Sequence, residues 1–188
     1  MAKYTDYLYR FECKIFKKIN RHYEKKLFQG YFRTITHMGG ATFTISVVTL
    51  LILLSKGPLK MTAIASAIAL SISQIPVLLT KKLYPRKRPY LVLQEIFVTD
   101  NPLKDHSFPS GHTTAIFSLI TPFILYFPLG FWSLFLIVIG ISVGLSRMVL
   151  GLHYPSDVLV GCFLGSLTGL IAYRFMEANF YELFILGI

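Results

Sequence analysis

Apolar residues in this chain come in runs, and the runs set its architecture. Polar side chains are sparse from Met38 to Ser55, Leu59 to Thr80, Thr113 to Phe127, Phe131 to Leu145 and Val158 to Tyr173. Each run approaches the roughly 20 residues a helix needs to cross the hydrocarbon core of a bilayer. The pattern predicts an all-α fold, an integral membrane helical bundle of about five transmembrane helices, with the fourth extending toward Leu150. Lys56-Gly57-Pro58 reads as the turn between the first two. Ser66, Ser71, Ser73 and Gln74 make the second run more polar than lipid tolerates, which points them at neighbouring helices. Pro122 is expected to kink the third run. Gly161, Gly165 and Gly169 recur every fourth residue along the fifth, a spacing that lets two helix backbones approach closely. Beyond it, Asn179 to Ile188 is apolar but too short to span.

Residues 1–36 obey a different rule. Tyr4, Leu8, Phe11, Ile15, Ile19, Tyr23 and Leu27 recur every three or four positions, and Lys3, Arg10, Lys14, Lys17, Lys18, Arg21 and Lys25 fill the remaining faces. A basic amphipathic helix lying in the membrane interface is expected, drawn to anionic lipids. This segment is set apart from a membrane domain over residues 37–188. Composition agrees: 54% of the 188 residues are hydrophobic and 15% charged, against about a quarter charged in a soluble domain. The net charge of +10 does not indicate nucleic acid, because the cations flank membrane segments. Cys13 is in the basic segment and Cys162 inside an apolar run, so no disulfide is expected. The charged N-terminus lacks the apolar core of a cleavable signal peptide. No internal repeat and no signal for an oligomeric state is evident.

The chemistry sits in the interruptions. One opens with Lys81-Lys82-Leu83-Tyr84-Pro85-Arg86-Lys87-Arg88-Pro89 and closes with Asp105-His106-Ser107-Phe108-Pro109-Ser110-Gly111-His112. The other is Ser146 to Asp157. Ionisable groups beside a bilayer are expensive and mark function by default. Five spans place both interruptions and the N-terminal segment on one side, so Lys81, Arg88, Ser110, Gly111, His112, Arg147, His153 and Asp157 can converge. Lys81 and Arg88 are about two helical turns apart, provided that helix persists toward Pro89. With Arg147 they form a cationic cage for phosphate. Ser110 suits a helix N-cap, and the free N–H groups beside Gly111 suit an anion. His153 can be nucleophile or proton carrier, oriented by Asp157, and His112 can protonate a leaving oxygen. His106 is expected to be a loop histidine, His22 and His37 interfacial, and Tyr154 and Pro155 shapers of a turn. Lys82, Arg86 and Lys87 read as a solvated basic loop.

Together these pieces resemble the signature of the PAP2 (type 2 phosphatidic acid phosphatase) superfamily of membrane lipid phosphatases. Lys81…Arg88-Pro89, Pro109-Ser110-Gly111-His112 and Ser146-Arg147…His153…Asp157 match it in order and spacing, and the resemblance covers about residues 40–175. It implies a phosphohydrolase without metal or other cofactor. His153 would attack phosphorus to form a phosphohistidine, Asp157 would hold His153, and His112 would protonate the leaving group and then help activate water. Lys81, Arg88, Arg147, Ser110 and the Gly111 N–H would hold the phosphoryl oxygens. Family members in membranes commonly have six spans; here the basic N-terminal helix stands in place of the first. The three cations argue against zinc on His112, His153 and Asp157.

The expected substrate is a lipid phosphate, either a monoester or a diphosphate: phosphatidate, phosphatidylglycerophosphate or undecaprenyl diphosphate. The alternatives are a non-catalytic lipid-phosphate sensor on the same fold, and a transporter with a basic pocket. Orientation in the cell membrane is drawn two ways. Sixteen Lys and Arg lie on the site side against three opposite, which places the pocket in the cytoplasm, whereas the resemblance implies an extracytoplasmic pocket.

Overall fold

The computed structural model describes residues 2–127 and 129–180; the apolar tail from residue 181 lies outside them. Every regular element among the described residues is helical: α1 (Ala2–Asn20), α2 (Lys26–Ile35), α3 (Ala41–Leu54), α4 (Gly57–Leu83), α5 (Pro89–Val92), α6 (Gly111–Tyr126), α7 (Phe131–Val149) and α8 (Pro155–Asn179), with 3-10 turns at Arg21–Glu24 and Thr36–Gly39. The protein is a multi-pass helical membrane protein. By length and apolarity α4, α7 and α8 can each cross a bilayer. The stretches Lys26–Gly39 and Ala41–Leu54 qualify as a fourth span only if their 56° bend falls within one crossing. The remaining apolar run, α6, has 16 residues. It is the centre of the bundle: it packs against α8, α4 and α7, and Thr113 through Ile116 and Ser118 through Ile120 are buried.

Lipid takes the place of water around the bundle, so outward apolar side chains stay uncovered: Leu78, Leu134, Val138, Leu159, Phe163 and Phe175 are all exposed. Serines of α4 find partners, as suits a medium with no hydrogen bonds to offer. Ser66 is buried and donates to the Leu119 carbonyl at 2.9 Å, tying α4 to α6. Ser71, expected to face another helix, is exposed instead and donates to the Ala67 carbonyl of its own helix at 2.9 Å.

The glycine stripe does what its spacing promised. A Cβ on Gly165 would stand 2.4 Å from the Thr114 carbonyl oxygen, and one on Gly161 2.7 Å from the Ser110 carbonyl oxygen. Gly165→Ala is therefore expected to force α8 off α6 and to cost about 1–3 kcal/mol, read as a lower unfolding midpoint in detergent. Gly111→Ala is the control, because a Cβ there meets only Val77 at 3.9 Å; an unchanged midpoint in Gly165→Ala would show that the α6–α8 contact is not tight.

The N-terminal segment is two helices with a turn between them. The apolar stripe read from the sequence is not the face that packs on the protein: Leu8 and Phe11 are exposed. The packed face carries Tyr9, Glu12, Phe16 and Asn20, of which Phe16 and Asn20 are buried. Asn20 donates to the carbonyls of Phe97 (2.8 Å) and Val149 (2.9 Å) and accepts from the Phe97 N–H (2.7 Å). Through these contacts α1 lies at the same end of the bundle as the α7–α8 loop.

Candidate active site

Lys81 sits in the last turn of α4, which stops at Leu83 before Tyr84-Pro85. Helix does not persist to Pro89. Arg88 is extended (φ −70°, ψ 154°), as expected of a residue before proline, so the loop and not helical register brings it back to Lys81. Its side chain is wholly buried. Nε donates to the Asp105 carbonyl (2.8 Å), Nη2 to Asp105 Oδ1 (2.7 Å), and Nη1 to the Leu152 carbonyl (2.8 Å) and His153 Nε2 (3.0 Å). Lys81 Nζ pairs with the other oxygen of Asp105. Burial alone would raise the Asp105 carboxyl, but the hydrogen bond from Lys81 and the charges of Arg88 and Lys81 pull it down to about 2.

The loop between α7 and α8 is folded over one carbonyl. Gly151 takes φ +78°, and a side chain there would meet the Phe97 carbonyl at 2.4 Å. That left-handed turn lets the N–H groups of Leu152 and His153 both reach the Arg147 carbonyl, at 3.0 and 3.1 Å. Pro155 then opens α8 at its first position and Asp157 occupies the third. The carboxylate turns back on the helix start: Oδ2 accepts from the Tyr154 N–H at 2.8 Å and from the Ser107 hydroxyl, while Oδ1 accepts from Arg86 at 2.8 Å.

His153 is buried between these groups. Arginine can only donate, so its contact assigns the lone pair to His153 Nε2 and the proton to Nδ1. Asp157 Oδ2 is 3.5 Å from Nδ1, too far for a formed hydrogen bond, and Nδ1 has no partner. The His153 pKa falls to about 4: burial disfavours the cation, Arg147 and Arg88 add to that, and Asp157 opposes it. The ring is a neutral base at neutral pH.

Ser110 caps α6, accepting from the Thr113 N–H at 3.4 Å and sharing a hydrogen bond with the Thr113 hydroxyl at 2.8 Å. Its own N–H is held by the Asp157 carbonyl at 3.0 Å. His112 follows in the first turn, among the charges of Arg147, Lys81 and Arg88. It borders two cavities. One, of about 350 Å³, is lined by Arg33, Thr36, His37, Asn101 and Arg147. The other, of about 330 Å³, runs between α3 and α4 past Gly111, Thr44, Leu70 and Gln74. Arg147 is buried, with Nη1 donating to Thr36 Oγ1 at 2.7 Å. Its Nε and Nη2 have no protein partner. All eight residues singled out by sequence thus gather at one end of the bundle.

Sequence reasoning missed Asp105, the carboxylate joining Lys81 to Arg88, and Thr36 on Arg147. It also took Arg86 for a solvated cation, whereas Arg86 pairs with both Asp157 and Glu12. Its position two residues before Arg88 was the one available signal. Tyr154 shapes the turn as expected.

A family model described as the PAP2 superfamily matches residues 60–181. The chain is 33% identical over 119 residues to the putative undecaprenyl-diphosphatase YbjG of Escherichia coli, covering 63% of this chain and 59% of that one. The first curated relatives matched are spanned over 55%, 24% and 59% of their lengths. Among solved structures, LpxE of Aquifex aeolicus superposes with a TM-score of 0.77 at 23% identity, over 86% of this chain and 93% of that one. The PAP2-type phosphatidylglycerolphosphate phosphatase of Bacillus subtilis gives 0.75 at 22% identity, over 95% and 90%. At such identities these two likenesses concern the fold.

Proposed function

Because this chain belongs to the PAP2 superfamily, we propose that it is a membrane phosphatase that removes phosphate from a lipid. The observation that carries the proposal is Arg147: a buried guanidinium with two nitrogens unpartnered, beside a neutral imidazole. An unpaired buried charge is costly, and a phosphoryl group supplies the missing acceptors bidentately.

In this reading the phosphoryl oxygens sit among Arg147, Arg88, Lys81 and the free N–H groups at the start of α6. The Ser110 N–H is occupied by Asp157, so the seat is formed by the N–H groups that follow, with Gly111 leaving the approach open. Arg88 Nη1, which holds His153 Nε2 in the empty site, turns to the phosphoryl oxygen. The freed Nε2 lone pair attacks phosphorus while the bond to the leaving oxygen breaks, and His112, protonated beside the bound phosphate's negative charge, gives that oxygen its proton. Water then attacks the phosphohistidine, loses its proton to His112, and frees His153 and inorganic phosphate. The cations stabilise charge on the phosphoryl oxygens throughout. They also leave no electrostatic need for a metal ion, so the reaction runs in chelator. The two cavities beside His112 suit a substrate whose head lies in the polar one and whose tail leaves between α3 and α4. The diphosphatase named among the relatives makes undecaprenyl diphosphate the first substrate to try, with phosphatidate and phosphatidylglycerophosphate beside it. Anionic lipids are the proposed partner of α1, whose exposed Phe11, Lys14 and Lys18 share one face.

Purified protein is expected to release phosphate from at least one of these lipids in the presence of chelator. No release across the panel overturns the proposal in favour of a lipid-phosphate sensor. Orientation is read separately. Cys13 is a poor reporter, since burial pushes its thiol up and only the thiolate reacts. Lys104→Cys, exposed in the loop before α6, serves better in a Cys13→Ser background. The charge distribution predicts protection from impermeant maleimide in intact cells and labelling after permeabilisation; labelling in intact cells places the site outside.

A further inference from the structure

We infer that α1 is a positioning element for Asp157, acting through Glu12 and Arg86. The chain of contacts is continuous. Glu12 Oε1 pairs with Arg86 Nη2, and Glu12 Oε2 accepts from the Ser156 hydroxyl at 2.5 Å. Arg86 Nη1 bridges Ser156 Oγ (2.7 Å) and Asp157 Oδ1 (2.8 Å). The guanidinium lies 4.0 Å from the centre of the Tyr154 ring, and Phe16 packs on that ring at 5.9 Å between centroids. Asn20, one turn further along the same face of α1, holds the Val149 carbonyl. One face of one helix therefore grips the loop carrying His153 at both of its ends.

The geometry separates Arg86 from the phosphate-holding cations. Both of its terminal nitrogens are engaged by Glu12, Ser156 and Asp157, and they reach Asp157 at Oδ1. That leaves Oδ2 as the oxygen on the side of His153. Arg86 thus fixes the rotation of the carboxylate that faces His153 Nδ1, and Glu12 fixes Arg86. Asp157 is positioned by Arg86 of the loop after α4, which is itself held by Glu12 of the N-terminal helix. Nothing in hydropathy marks Glu12, which sits among aromatic and basic residues.

The kinetic arm of the test rests on the phosphatase reading; a spectroscopic arm does not. Removing a partner from behind a reacting group costs about 10- to 100-fold in activity. Arg86→Gln is expected to lower kcat by that factor with KM changed less than threefold, because no phosphate contact is lost. Arg86→Lys should recover part of the loss, since a cation at Oδ1 is restored without the second bridge. Glu12→Gln should give a smaller loss, and Glu12→Gln with Arg86→Gln should be no worse than Arg86→Gln alone, as for residues on one path. In 15N spectra of imidazole-labelled protein, the His153 ring nitrogens should shift in Arg86→Gln. An unchanged kcat together with unchanged His153 shifts overturns the inference, as does a rise in KM at constant kcat. Shifted His153 signals in a protein that releases no phosphate overturn the phosphatase reading and keep this one.

Discussion

His153→Ala is expected to reduce phosphate release by a factor on the order of 10⁴ to 10⁶, the range seen when an attacking group is deleted from a cooperating set. The loss should fall on kcat, because in the proposed reading the substrate is held by the arginines and the α6 terminus. The fold should survive, since the His153 ring accepts one bond from Arg88 at 3.0 Å and Arg88 keeps its carbonyl and carboxylate partners. Activity that persists in His153→Ala refutes the assignment of the nucleophile. The pH profile gives a second reading of the same residue. His153 attacks only as free base, and with a pKa of about 4 it is free base across the neutral range. The His153 limb of kcat/KM should therefore lie near pH 4 and not near the ordinary 6.5 of histidine. Stability follows the same sign. The folded pKa lies below the unfolded one, so the contribution of His153 is complete above about pH 6.5 and is lost as pH falls toward 4. An acid limb near 6.5 in wild type that disappears in a residual-activity His153 variant would contradict the burial seen for this ring.

The motif residues were legible because each carries its chemistry in its type and because alternation of apolar runs with interruptions assigns them a side. Lys81, Arg88, His112, Arg147, His153 and Asp157 meet for that topological reason. The route taken by Arg88 was not legible. Counting two helical turns from Lys81 gave the right neighbour through the wrong path, since Tyr84-Pro85 ends the helix and the loop folds back. Asp105 and Glu12 were passed over, and Arg86 was misread as solvated, for a related reason. Hydropathy registers the cost of moving one side chain into lipid; it does not register that two opposite charges from distant segments cancel that cost. The face of α1 shows the same limit. Its apolar stripe through Leu8 and Phe11 is what periodicity detects, yet the protein is held by Glu12 and Asn20, whose value lies in single hydrogen bonds. Helix number is limited by length. The central α6, packed on α8, α4 and α7, has 16 residues, fewer than the roughly 20 by which a crossing is recognised.

Arg147→Met is expected to separate stability from function. In the ligand-free protein the guanidinium is buried, one nitrogen bonded to Thr36 and two unpartnered. Taking such a charge out of water costs several kcal/mol when its partners are incomplete, and replacing it by an apolar side chain of similar length is often neutral or stabilising. Methionine is flexible enough to fill the same space. The unfolding midpoint of Arg147→Met should therefore equal or exceed that of wild type in phosphate-free detergent. Its activity should fall about 10²- to 10³-fold, the loss typical of removing one preorganised donor from an oxyanion site. Inorganic phosphate should raise the midpoint of wild type, because a ligand bound only by the folded state stabilises it by mass action, and the variant should respond much less. A protein that loses stability and keeps its phosphate response in Arg147→Met would mean that Arg147 is a structural cation completed by groups of the protein itself. Retained stability with lost response would mean that the site is held in readiness for an anion, and that the cost of leaving two donors unmatched is what the bound phosphoryl group relieves.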